Sequence, residues 1–81
     1  MAEPSNEQIE QVITYALVTF GAEASAISRD AELEALDIDS LDLAELSQII
    51  EEQFGVELTS NDVAEIKTVG DAIDLVAARA K

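Results

Sequence analysis

The chain has 81 residues, 48% of them hydrophobic, and a formal net charge of −14. Its length fits one small domain, and with only Tyr15, Phe20 and Phe54 as aromatics the core must be aliphatic. Having no Cys or His, it lacks disulfides, thiolate chemistry, imidazole metal ligands and the commonest general base, and its few Lys and Arg argue against nucleic acid as a partner.

Met1-Ala2-Glu3-Pro4 is polar and acidic, unlike a signal or transit peptide. Ser5-Asn6-Glu7-Gln8 then has the form of a capping box. Ile9, Val12, Ile13, Ala16, Leu17 and Phe20 recur at helical spacing, and Gly21 suits a left-handed stop. A first helix is predicted over about 5–20. Residues 21–38 lack a sustained period, but Ile27, Leu33, Leu36 and Ile38 are spaced as if to pin a long loop to the core, with a short helical turn near 30–35. Asp39 is a suitable N-cap for a second helix over about 40–54, with Leu43, Leu46, Ile50 and Phe54 as its apolar stripe and Gly55 as its stop. Val56 and Leu58 read as an extended link. Thr59-Ser60-Asn61-Asp62 opens a brief third helix over about 60–66, and Thr68-Val69-Gly70-Asp71 opens a fourth over about 69–80. No repeat, low-complexity tract or linker divides the chain, and no apolar run approaches the ~20 residues that span a bilayer. The expectation is all-α: a single domain over 1–81, a four-helix bundle with a short third helix and a long loop between the first two helices.

Ser40 is the residue that invites chemistry. At the first turn of a helix a hydroxyl is exposed, and the outward N–H groups of that turn favour an attached anion. Ser40 therefore reads as a point where another enzyme attaches a group; the plainer alternative is a solvated serine at a helix start. Asp37, Asp39, Asp42 and Glu45 surround it, and no Lys or Arg interrupts the chain from Asp30 to Ile66. Such a run serves solubility, but around a candidate site it also suits a cationic protein surface. A calcium loop counted from Asp37 would need Gly at its sixth position and a bidentate acid at its twelfth. Those positions hold Asp42 and Gln48, so no specific metal site is expected.

Asp39-Ser40-Leu41, together with Asp42 and Glu45, the stretch Glu51-Glu52-Gln53-Phe54-Gly55-Val56-Glu57-Leu58 and the stretch Ile66-Lys67-Thr68-Val69-Gly70-Asp71-Ala72-Ile73, resembles the acyl carrier proteins over roughly residues 5–79. The resemblance implies that Ser40, flanked by Asp39 and Leu41, receives 4′-phosphopantetheine from coenzyme A through a separate magnesium-dependent phosphopantetheinyl transferase. It implies a non-catalytic carrier whose terminal thiol holds acyl groups as thioesters and moves them between enzymes of fatty-acid or polyketide synthesis. Leu41, Asp42, Glu45, Gln48, Glu51 and Glu52 would then face basic surfaces of the transferase and of acyl-transferring, condensing or modifying enzymes. Leu46, Ile50, Val63 and Ile66 would line a pocket for the acyl chain. A free-standing, monomeric, cytoplasmic protein is expected, with no membrane partner. Three positions depart from the family's pattern. Asp37 stands where glycine is usual, so the backbone there must avoid a positive φ or accept strain; Ser47 replaces an aliphatic, and Gln48 replaces an exposed apolar residue, commonly methionine. These departures point to a specialised carrier. The alternatives are a carrier of aminoacyl or D-alanyl groups, or an acidic adaptor that has lost its cargo.

Overall fold

A computed structural model describes residues 5–80, so the reading of Met1–Pro4 and of Lys81 lies outside the described residues. The fold is an all-helical bundle of four α-helices: α1 (Asn6–Thr19), α2 (Ser40–Phe54), α3 (Ser60–Glu65) and α4 (Val69–Arg79). Each starts at a side-chain cap. The Ser5 hydroxyl accepts the Gln8 N–H while the Gln8 side chain accepts the Ser5 N–H. Thr59 with Asp62, and Thr68 with Asp71, form the same reciprocal pair at α3 and α4. Two donors that the helical ladder leaves open are thus satisfied at the starts of α1, α3 and α4, and one, the Asp42 N–H on the Asp39 carboxylate, at α2. At the other ends, Gly21 (φ 112°) and Gly55 (φ 68°) take positive φ, which a Cβ would oppose.

α1 packs chiefly on α4 and also on α2, and α3 rests on α2. Ile9, Ile13 and Leu17 of α1 meet Leu46 and Ile50 of α2 and Val69, Ile73 and Val76 of α4 in one wholly aliphatic core. Full burial of each such side chain stabilises the fold by about 1.5–3 kcal/mol.

The segment between α1 and α2 carries two single 3-10 turns, Ala24–Ala26 and Glu34–Leu36. Leu33 and Ile38 insert into the core, and Ile27 and Leu36 pack on its edge. Backbone bonds hold the loop to the start of α4: Val69 N–H donates to the Ala31 carbonyl at 3.0 Å, Gly70 N–H to the Arg29 carbonyl at 2.9 Å, and Leu33 N–H to the Lys67 carbonyl at 2.9 Å. The free first-turn donors of α4 are thereby used to fix the loop. That approach requires a glycine, because a Cβ on Gly70 would lie 2.9 Å from the Arg29 carbonyl oxygen.

Candidate functional site

The pinned loop delivers the chain to α2 through a tight reversal. Asp37 adopts the left-handed conformation (φ 61°, ψ 30°), so at this position the backbone accepts the strain. Asp is among the few side chains that tolerate it. Ile38 buries, Asp39 turns extended, and its carboxylate accepts the Asp42 N–H at 2.9 Å. Ser40 is consequently the first residue of α2, exposed, its hydroxyl in no hydrogen bond to protein among the described residues. The positive end of a fifteen-residue helix lies under that oxygen. A hydroxyl so placed can be esterified without disturbing the core, and a phosphodiester on it would face N–H donors.

Leu41, next along, is 70% exposed, large and apolar. Asp42 is half-buried, while Glu45, Gln48, Glu51 and Glu52 are exposed along the same helix. The ion pairs among the described residues are Arg29–Asp74 and Arg79–Asp62, both 2.7 Å, and neither uses an α2 carboxylate. Among the described residues, then, no ion pair neutralises the charge on α2. Nor do the acids converge, for no group of three among the described residues is arranged to hold a metal ion.

The four residues proposed from sequence as pocket lining separate in space. Val63, half-buried, lines a cleft of about 240 Å³ that includes Ser40, Ala44, Ser47, Leu58 and the start of α3. Leu46 and Ile50 lie in the closed core, at 1% and 0% exposure. Ile66 lines a second groove, with Leu33, Ile38 and Leu43 beneath the long loop. A further groove of about 400 Å³ between α1 and α2, beside Tyr15 and Ile49, does not include Ser40. Sequence reading missed Thr59 and Ser60 as cleft residues, since their spacing marks them as helix-start residues and nothing in the periodicity brings them to Ser40.

Asp62 is also outside the expected site. It is the buried charge of the molecule among the described residues, and Arg79 grips both its oxygens at 3.0 and 2.7 Å. The Thr59 N–H and the Arg79 guanidinium together hold its carboxyl below the usual carboxylate range. This clamp ties the start of α3, one wall of the cleft, to the end of α4.

Residues 10–76 match the family described as "Phosphopantetheine attachment site". Over 71 residues the chain is 38% identical to an acyl carrier protein of Solidesulfovibrio magneticus, covering 86% of this chain and 87% of that protein. Over 60 residues it is 43% identical to an orsellinic acid synthase of Beauveria bassiana, covering 73% of this chain and 3% of the synthase.

Proposed function

This chain belongs to the acyl carrier protein family, whose members are non-catalytic carriers bearing a phosphopantetheine attachment site, and on that premise we propose that Ser40 is the attachment residue. The observation that carries the proposal is the exposed, unengaged Ser40 hydroxyl at the first turn of α2. When bound, 4′-phosphopantetheine supplies the thiol that this cysteine-free chain lacks, and acyl groups ride on it as thioesters. Asp39 fixes the turn by capping α2, and the helix dipole offsets the phosphodiester charge. Leu41 presents an apolar anchor beside the attachment point.

The acidic face of α2 meets basic surfaces of a phosphopantetheinyl transferase and of acyl-transferring, condensing or modifying enzymes. Charge complementarity of this kind raises association rates more than it prolongs residence, which suits a carrier visiting several partners. The protein acts as a cytoplasmic monomer and moves acyl intermediates in fatty-acid or polyketide synthesis. The match to an orsellinic acid synthase favours polyketide work, as do Ser47 and Gln48 in place of apolar residues on α2.

Intact mass after incubation with coenzyme A, magnesium and a broad-specificity transferase tests the reading. The wild type should gain one phosphopantetheine and Ser40→Ala none, with both proteins folded. A folded wild type that gains nothing, or a Ser40→Ala variant that still gains mass, would refute it.

A further inference from the structure

We propose that the groove between α1 and α2 is a second docking surface, which seats a basic amphipathic helix of a partner protein. The groove encloses about 400 Å³ and does not include Ser40. Its walls are largely apolar, through Val12, Tyr15 and Ala16 of α1 and Ile49 of α2. The large exposed hydrophobic side chains among the described residues are Leu41, Tyr15 and Val18. Leu41 stands beside Ser40, and the site already described accounts for it. Tyr15 and Val18 are neighbours on one face of α1 and belong neither to the core nor to that site. Tyr15 is 76% exposed, and its phenol joins an apolar body to a polar tip, as interface anchors do.

The charge around the groove selects the occupant. Glu52 lines it, and Glu7 and Glu10 lie with Tyr15 on the adjoining surface of α1. All three acids are exposed, and none is in an ion pair among the described residues. No Lys or Arg lines the groove or that surface, and Arg29, whose charge reaches Glu10, is held by Asp74 at 2.7 Å. A second copy of the chain is therefore a poor occupant, because at a net charge of −14 it would set one acidic rim against another. A partner with Lys or Arg on both sides of an apolar stripe matches the rim and the walls at once. That stripe belongs on a helix, which satisfies its own backbone, since the described residues form no strand whose edge an extended segment could join. Ile49 lies about 14 Å along α2 from Ser40, so the occupant holds the protein while the start of α2 stays open.

The test titrates the full, unmodified chain with synthetic peptides about five helical turns long, so it does not depend on the attachment reading. One peptide carries leucines along one face and lysines elsewhere. A second has the same composition with the stripe scrambled, and a third has the stripe with glutamates in place of lysines. Backbone amide shifts locate the peptide, and Tyr15, the sole tyrosine of a chain without tryptophan, reports it by fluorescence. The striped basic peptide should move the amides of Val12, Ala16, Ile49 and Gln53, change the Tyr15 emission and bind more weakly as salt is added. The scrambled and acidic peptides should bind about tenfold or more weakly than it does. Tyr15→Ala should lower its affinity about tenfold or more, the scale of an interface anchor, without altering the thermal midpoint. Glu7→Gln combined with Glu10→Gln should lower the affinity at low salt and flatten its salt dependence. Shifts centred on Leu41, Glu45 and Gln48 with the groove amides unmoved would overturn the proposal. So would equal binding of the scrambled peptide, or unchanged affinity of Tyr15→Ala. Tyr15 emission that changes with protein concentration alone would also overturn it, because the occupant would then be a second copy.

Discussion

Gly70 shows how one missing side chain holds the loop in place. Its N–H bonds the Arg29 carbonyl at 2.9 Å, and a Cβ there would sit 2.9 Å from that same oxygen. Gly70→Ala should destabilise the protein by about 1–3 kcal/mol, the usual scale of an overpacked contact, read as a lower urea midpoint. Asp37 gives the opposite case. It is exposed and left-handed, so Asp37→Gly should be neutral or slightly stabilising, while Asp37→Val should cost about 1–2 kcal/mol. Equal stability of the two variants would show that the backbone there is not under steric constraint. The sequence marked Asp37 as a departure from glycine but left open which way the backbone would turn. The reason is that the conformation is imposed by the burial of Ile38 on one side and the capping of α2 by Asp39 on the other.

At the level of elements, the helix starts were legible because capping is a local code: a hydroxyl or carboxylate, then an acceptor three residues on. The capping boxes of α1, α3 and α4 are all formed. The pinning of the long loop was legible from its spaced aliphatics, and the partners of its backbone groups were not, because they lie near α4, far along the chain. That the four aliphatics expected to line a pocket lie apart, in the core and in two grooves, was not legible for a similar reason. A stripe such as Leu46 and Ile50 identifies what is buried, and it cannot tell core from pocket wall. Thr68→Ala should cost about 1 kcal/mol through loss of the α4 cap. The caps also set a pH dependence. Hydrogen bonds from the Thr59 N–H, aided by Arg79, and from the Thr68 and Lys67 N–H groups hold the Asp62 and Asp71 carboxyls below their ordinary range. With folded values depressed, the unfolded chain takes up these protons first as pH falls. The stabilisation is full above the ordinary carboxylate range of about 4 and is lost as pH drops through the folded values. The stability gap between wild type and a double Asp62→Asn, Asp71→Asn variant should therefore narrow below about pH 4. A gap independent of pH would show that these carboxyls contribute by shape and not by charge.

Across the whole molecule, charge bears on stability and, in the proposed function, on docking. At −14, with two of the four bases committed to internal pairs, the folded state repels itself. Added salt or magnesium should raise the thermal midpoint through screening, and an unchanged midpoint would contradict that. The α2 acids are in no ion pair among the described residues, and the proposed docking on basic surfaces uses them. Glu45→Lys combined with Glu51→Lys should slow modification by the transferase at low salt, mainly through the association rate, with the difference shrinking as salt is added. The carrier reading nevertheless stands or falls on a single oxygen. The decisive measurement is peptide fragmentation of the protein after treatment with coenzyme A and transferase, locating the added phosphopantetheine among Ser5, Ser25, Ser28, Ser40, Ser47 and Ser60. Modification confined to Ser40 is the expected result; modification at any other serine would contradict it.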